Sequence, residues 1–563
     1  MTAPANDHAG VARRPTQWRW LLPVIVIAAA VLSPVVGLVW FAKEGSGELW
    51  PHLLEFVIPT ATRTTLVLLV GVGVVVTVIG VGTAWLISAY RFRGRRFLEW
   101  ALLLPLAVPT YVIAYSYLDV MHPVGPVQTF IRDVFGIANP QDLWFPEIRS
   151  MGGCIVLLGL VLFPYVYLPV RALFLIQSAS ILEASRTLGA GPSSVFLKIA
   201  LPLARPAVVL GLTLALLETL NDIGASEFLG VRTMTVSIYT TWVSRNSIGG
   251  AAQIALVMLL IVLSLLMLER WARRRQRYVA GGHRSHPPAP RRLVGWRAGL
   301  ATLACGLPPL LGFGVPAIYL AYAATSRIVE FGWPADLPGW IGNTVVLAAI
   351  ATVLTVGLGV FLAYAARVLK RRAGNIAMRL ATIGYALPGT VLAVGLLVPI
   401  ATFDNWISNT LEAMFGISVG LVMLGSGAAL VFAYVLRFLP IAVGHAESGL
   451  AKISPSLDMA ARSLGAGPGE TAFRVHMPIL RPALAAGALI VFVDCMKELP
   501  ATLLLRPFGV ETLATQLFAE ASRGTYEVGA VSALAIVLVG LFPVILLART
   551  TERTVRFRPI PNP

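Results

Sequence analysis

Cysteine is nearly absent from these 563 residues, which hold three: Cys154, Cys305 and Cys495. They stand far apart in apolar surroundings. No disulfide framework or metal-ligand spacing follows from them, and they read as small buried hydrophobes. Charge is also scarce, at 13% of the chain against 57% hydrophobic residues. A water-soluble core cannot absorb that much apolar sequence, and many runs approach the roughly 20 residues needed to span hydrocarbon. The dipeptide Gly–Lys occurs nowhere, so the chain has no Walker A lysine to hold the phosphates of ATP. A pump that hydrolyses its own ATP is thereby excluded.

Acid is the scarcer sign, with 27 Asp and Glu against 44 Lys and Arg and a net charge of +17. A surplus of that size can signal nucleic acid, but its distribution here argues against that. The basic residues gather in short loops, at Arg91, Arg93, Arg95 and Arg96, at Arg270 to Arg277, and at Lys370 to Arg372. These alternate with poorly basic loops, the positive-inside pattern of a polytopic membrane protein, with some attraction to anionic lipid. The apolar runs predict spans near 21–41, 64–90, 99–119, 151–176, 204–227 and 251–269. A second set follows near 298–323, 339–366, 379–400, 416–441, 480–503 and 526–547. The first run is longer than an ordinary signal core and is followed by Lys43-Glu44-Gly45 rather than a small-residue cleavage site, so it reads as an uncleaved span. The loop over 120–150 faces outward and holds a short helix around 127–135.

The organisation expected is a cytoplasmic segment 1–20, a first half 21–269, a basic Gly/Pro-containing linker 270–297, a second half 298–547 and a cytoplasmic tail 548–563. Both termini are then inside. The two halves share one stretch. Ala184, Arg186, Leu188, Gly189, Ala190, Gly191, Pro192, Pro202, Arg205 and Pro206 all recur 276 positions later without a gap. Each copy is a polar interruption between apolar runs, about 178–203 and about 442–478. An internal repeat of that quality implies two homologous membrane halves.

The repeated stretch also carries a resemblance. Glu183-Ala184-Ser185, three residues, Gly189, nine residues, then Ile199-x-Leu201-Pro202 resembles the EAA loop of ATP-binding-cassette importer permeases. In that family the loop forms a short cytoplasmic coupling helix seated in a groove of a separate ATPase subunit. The resemblance implies an all-α integral membrane protein with the type I importer permease fold, about twelve membrane helices in two pseudo-symmetric halves. It implies ATPase coupling by Glu183, Ala184, Ser185, Arg186, Gly189, Leu201 and Pro202, and in the second copy by Asp458, Ala460, Ala461, Arg462, Gly465 and Pro478. Glycine followed by Gly-Pro ends such a helix sharply, because glycine adopts a left-handed turn and proline cannot continue a helix. The second copy departs from the pattern, with Met459, Val475 and Met477 in place of Glu183, Ile199 and Leu201. Asp458 is there the candidate for the displaced charge. Implied partners are two copies of the ATPase, a periplasmic substrate-binding protein and the lipid of the bacterial inner membrane, with no nucleic acid. ATP and Mg belong to the ATPase, this chain carries no cofactor of its own, and it is a transport subunit rather than an enzyme.

Charges also interrupt the spans that follow the two loops: Glu218, Asn221 and Asp222 after Pro206, and Asp494, Lys497 and Glu498 after Pro482. Glu218 and Asp494 share the 276-residue offset, as do Asp222 and Glu498. Within each half the carboxylates are four residues apart, hence on one face of a continuous helix. A 1.5 Å rise from each Arg-Pro puts them roughly 18–24 Å into the bilayer. Ionisable groups at that depth cost ~2.5–3.5 kcal/mol and normally face protein or a water-filled path. One reading is a translocation path making transient contact with a cation at Glu218, Asp222, Asp494 and Glu498, with no metal permanently bound, since carboxylate oxygens suit hard cations. The other is a structural ion pair in which Lys497 or Arg506 neutralises a neighbour.

Leu220 to Ala225 and Met496 to Gly509 resemble the matching segments of fused iron(III)-importer permeases, and Thr512 to Thr515 continues the match. That resemblance implies iron(III) as substrate. Relatives of the same group carry thiamine, polyamines or phosphonates, and those alternatives stay open. A secondary transporter would share the hydropathy but has no need of Pro/Gly-framed loops at matched positions. His445 and His476, in or near the second loop, read as solvated.

Overall fold

The computed structural model describes residues 15–176, 189, 191–273, 291–369, 372–417 and 419–556. They are helical almost throughout, as lipid demands: inside a bilayer every backbone N–H and C=O must find its partner within the helix. Among the described residues the one strand pairing is a two-residue parallel bridge, Tyr90–Arg91 with Arg291–Arg292.

The helices that frame the site run, in the first half, α1 (Pro15–Glu44), α2 (Ile58–Ala89), α3 (Arg95–Ala101), α4 (Thr110–Val120), α5 (Met151–Leu162), α6 (Pro164–Ile176), α7 (Leu201–Asn221), α8 (Gly224–Phe228) and α9 (Ile248–Arg273). In the second half they are α10 (Val315–Phe331), α11 (Leu337–Val368), α12 (Gly389–Phe415), α13 (Ala428–Leu450), α14 (Pro455–Ser463), α15 (Met477–Met496), α16 (Pro500–Leu505), α17 (Leu513–Arg523) and α18 (Tyr526–Arg556). Both bounds of α11 lie 279 positions beyond those of α2, so the repeat extends well upstream of the shared loop.

Ten helices among the described residues are long and apolar enough to cross a membrane, and there are up to twelve spans if each of two bent pairs counts as one. Residues 95–107 bend by 93° into α4, and α5 bends by 42° into the helix that follows it. Proline sits at both corners. Pro109 caps α4 with an extended backbone, and Pro164 opens α6. The outward loop holds the expected short helix, at Pro126–Phe135.

Two spans of the second half differ from their apolar runs. Where 379–400 and 416–441 are expected, α12 continues to Phe415 and α13 starts only at Ala428 and reaches Leu450. Gly416, at φ +65°, ends α12, and Asp404 on α12 accepts the amides of Met423 and Leu424, at 2.8 and 3.0 Å. An apolar stretch is thus drawn into a turn by one buried carboxylate. The polar sequence Gly444-His445-Ala446-Glu447 stays helical because its Ala446 face is buried, packing with Leu450 and Leu480.

The chain packs as two compact units that cut across the sequence halves. One comprises Met1–Glu44 with Gly342–Val510, the other Gly45–Ile341 with Glu511–Pro563. In the first unit α1 packs along α12, and Trp20 stacks on Phe361 with ring centroids 5.5 Å apart. In the second, α2 packs on α6 and α7, while α10 and α18 pack together. There the Tyr319 hydroxyl of α10 donates to Asp119 of α4 at 2.6 Å.

Candidate coupling and translocation site

The two loops repeat in geometry as well as in sequence. Gly189 and Gly465 both take left-handed backbone angles, φ +82° and +84°. Downstream, each chain passes through one π-helical turn, Phe196–Ala200 or Thr471–His476, before its long span begins. Leu201 N–H reaches back to the Phe196 carbonyl, and Met477 N–H to the Ala472 carbonyl, each five residues earlier. Pro202 and Pro478 explain the wide turn. Neither has an N–H for the ordinary four-residue bond, so the ladder resumes with a wider ring before them.

Of the coupling residues named from the sequence, Glu183, Ala184, Ser185 and Arg186 lie outside the described residues. In the second copy α14 forms a helix of nine residues carrying Asp458, Ala460, Ala461 and Arg462. Its apolar side chains point two ways. Ala461 is buried, whereas Leu457 and Met459 are 41% and 64% exposed, as is Leu464 just past the helix end, at 86%. An exposed apolar surface on a short helix is what a partner's groove would cover. Leu201 and Pro202 are half-buried at the start of α7, and Pro478 is exposed at the start of α15.

Asp458 is held firmly. Its Oδ2 accepts from Arg367 Nη2 at 2.5 Å, and its Oδ1 lies 2.6 Å from His476 Nε2. Nδ1 of the same imidazole meets the Tyr364 hydroxyl. Burial pushes the Asp458 carboxyl up, but the hydrogen bonds from His476 and Arg367 and the Arg367 charge outweigh it, and the pKa lies below the ordinary carboxylate value. His476 is therefore not a solvated histidine. It is 4% exposed and bridges two side chains, because the π-helical turn aims it back at α11 and α14.

The charged residues in the spans separate into two kinds. α7 ends at Asn221 and α15 at Met496, so the four-residue spacing does not place each carboxylate pair on one helical face. Asp222 lies beyond the break and accepts from the amides of Ala225 and Ser226, at 3.4 and 2.8 Å, and from the Ser226 hydroxyl at 2.8 Å. Glu498 does the same one repeat later, accepting from the amides of Ala501 and Thr502 at 2.9 and 3.0 Å and from the Thr502 hydroxyl at 2.7 Å. Each carboxylate thus satisfies the first free N–H groups of the short helix, α8 or α16, that follows the break. The four donors and acceptors match at the same 276-residue offset.

What lies on the other side differs. Thr110, the first residue of α4, donates its hydroxyl to Asp222 at 2.6 Å. The first residue of α12 is Gly389, where an added Cβ would stand 2.5 Å from an Arg437 nitrogen and 2.7 Å from a Glu498 oxygen. Its missing side chain leaves room for Arg437 Nη1 to reach Glu498 Oε1 at 3.1 Å. Arg437 thus supplies the countercharge of Glu498. Lys497 pairs with its neighbour Asp494 at 2.8 Å, as the ion-pair reading expects, while Arg506 donates to the Val510 carbonyl at 3.0 Å. Asp222 and Glu498 are both 5% exposed, with their oxygens committed within their own half, whereas Glu218, Asn221, Asp494 and Lys497 are half-buried. Asp222 and Glu498 therefore do not offer a passing cation the open face expected of them. Among the described residues no group of three or more His, Cys, Asp or Glu is placed to hold a metal ion.

Sequence reasoning missed Thr110, Gly389 and Arg437. The signal for the last was present, since Arg437 interrupts the apolar run Tyr434-Val435-Leu436-Arg437-Phe438-Leu439.

Comparison with known proteins fits this geometry. Residues 76–278 and again 355–557 match the family described as the inner membrane component of binding-protein-dependent transport systems. The chain is 27% identical over 546 residues to the Fe(3+)-transport system permease protein FbpB 2 of Haemophilus influenzae, covering 95% of this chain and 99% of that one. It is 24% identical to the ferric transport system permease protein FbpB of Actinobacillus pleuropneumoniae, covering 84% and 68% of the two chains. Over 36% of its length it is 29% identical to the molybdenum transport system permease protein ModB of Escherichia coli, 87% of which is covered. With the matched domain present twice in one polypeptide, the chain belongs to the binding-protein-dependent transport inner membrane components, the permeases of ATP-binding-cassette importers.

Proposed function

We propose that this permease carries iron(III) from a periplasmic binding protein into the cytoplasm, driven by two copies of a separate ATPase that bind ATP and Mg. The similarity to ferric permeases along 95% of the chain carries the assignment to iron. Glu218 and Asp494, half-buried at repeat-equivalent positions, add hard oxygen ligands of the kind a hard cation prefers, Asp494 being shared with Lys497 at 2.8 Å. Asp222 and Glu498 hold the ends of the broken helices beside them.

In this reading the permease has no cofactor of its own, and both termini are cytoplasmic. Closure of the ATPase pair draws the two coupling segments together. Each is continuous with α7 or α15 through one π-helical turn, so their movement is passed into the spans that carry Glu218 and Asp494. The path then alternates between inward-facing and outward-facing states.

A second substrate class, the oxyanions, is favoured by the similarity to a molybdenum permease. Proteoliposomes holding the permease with its ATPase and binding protein decide between them. ATP-dependent accumulation of radioiron, uncompeted by molybdate or sulfate, is the expected result. Accumulation of molybdate and none of iron would overturn it.

A further inference from the structure

We propose that Tyr364, Arg367 and His476 are a positioning set that anchors the second coupling helix, α14, through Asp458. The proposal rests on reading α14 as the ATPase-docking element.

A nine-residue helix is unstable alone, because nucleation outweighs the few hydrogen bonds it closes. It needs tertiary contacts, yet α14 leaves Leu457 and Met459 exposed. Among its described side chains, Ala461 and the Asp458 carboxylate face inward. That carboxylate is divided between two elements. Arg367, in the last turn of α11, takes one oxygen at 2.5 Å. His476, at the end of the π-helical turn leading into α15, takes the other at 2.6 Å. Tyr364, one turn before Arg367, fixes the imidazole from behind through Nδ1. With Nδ1 accepting from the phenol, Nε2 carries the proton and donates to Asp458. One charge thus ties α14 to both spans that flank it, so a displacement of the helix is felt by both.

The first half lacks every member of this set. At the 276-residue offset, Leu182 stands for Asp458 and Ala200 for His476. At the 279-residue offset of α2 and α11, Trp85 stands for Tyr364 and Ser88 for Arg367. The Trp85 ring instead packs against Phe174 and Phe196, with centroids 5.3 and 5.1 Å away. Phe196 opens the π-helical turn of that half, so among the described residues the same element is gripped by rings. The set therefore belongs to the half in which Met459 has replaced the acidic residue of the first loop.

Two readouts on the complete transporter, permease with ATPase and binding protein, test this. The first is amide hydrogen exchange over 455–463, which reports anchoring whatever α14 docks to. The second is the stimulation of ATP hydrolysis by loaded binding protein. Asp458→Asn and His476→Leu should each speed exchange in α14 about tenfold, the weight of one charge-assisted hydrogen bond, with exchange in α2 unchanged. Stimulated hydrolysis should fall in parallel, and the Asp458→Asn/His476→Leu double variant should fall no further than the worse single one. Asp458→Glu, which keeps the charge, should recover most of both. Exchange in α14 within twofold of wild type in both single variants would overturn the anchor, as would losses that simply add. Faster exchange with unaltered hydrolysis would keep the anchor and reject α14 as the docking element.

Discussion

Gly189 and Gly465 adopt the same left-handed backbone, φ +82° and +84°, at equivalent points of two loops 276 residues apart. A side chain at either position meets no neighbour within 4 Å, so backbone strain is the only obstacle to one. Gly465→Ala should cost about 1–2 kcal/mol at the end of α14 without disturbing any packing. Gly465→Pro should abolish uptake while membrane insertion persists. Uptake and binding-protein-stimulated ATP hydrolysis, set against the amount of protein in the membrane, read the effect. The graded loss, alanine less than proline, is the expected signature.

Glu498 and Arg437 face each other at 3.1 Å with side chains 2% and 7% exposed. Removing either alone, as Arg437→Met or Glu498→Gln, should destabilise by about 3–5 kcal/mol, because an unpaired charge or an orphaned donor is left buried. The double variant should recover much of that loss. Tm values of the purified protein, taken as a double-mutant cycle, measure it. Asp222, which accepts from hydroxyls and amides, should tolerate Asn better than Glu498 tolerates Gln.

Glu218→Gln should lower iron uptake without lowering Tm, since the side chain is half-buried and the amide keeps volume and most hydrogen bonding; Asp494→Asn, which also gives up the ion pair with Lys497, should lower uptake with only a small loss of Tm. Measuring uptake and Tm on the same variants separates a conducting role from a structural one. Full uptake by the Glu218→Gln/Asp494→Asn double variant would remove these residues from the path.

Asp458 gives the second coupling helix a defined acid response. Its folded-state pKa is depressed, so its stabilising effect is complete above the ordinary carboxylate pKa and is lost progressively as pH falls from there through the lower folded value. Protection of residues 455–463 from exchange should therefore persist through about pH 4, the ordinary Asp range, and collapse below it. Asp458→Asn should flatten that response.

The basic loops predict an orientation that labelling can check. Single cysteines placed in 91–98, 178–203, 270–297, 368–378 or 442–478, in a variant lacking Cys154, Cys305 and Cys495, should resist an impermeant thiol reagent added from outside. Labelling within 178–203 would reverse the topology.

The repeat, the spans and the left-handed glycines were legible because each has a local cause: an apolar run of bilayer length, a Gly-Pro pair, a proline after a short apolar segment. The breaks after Asn221 and Met496 were not. Both segments read as unbroken helix until the carboxylate just beyond is seen to collect the amides of the next turn. That preference depends on where the following chain goes. The extent of α12 was hidden for a similar reason, since Asp404 recruits amides from residues 423 and 424 across a loop. His476 looked solvated because it stands in the second polar loop, just before Met477-Pro478. Its partners come from residues 364 and 458.

The first compact unit joins Met1–Glu44 to residues that begin only at Gly342. As the chain emerges at roughly 5–20 residues per second, α1 enters the bilayer some 20–70 s before α12 exists to receive it. During that interval α1 is a lone membrane anchor, its partner surface turned to lipid. A cut in the central linker would place α1 on a different fragment from α12. Co-expressed halves must then find each other in the plane of the membrane before that unit can close. Fusion of the two halves in one polypeptide makes that search intramolecular, which is a kinetic reason for the chain to be single.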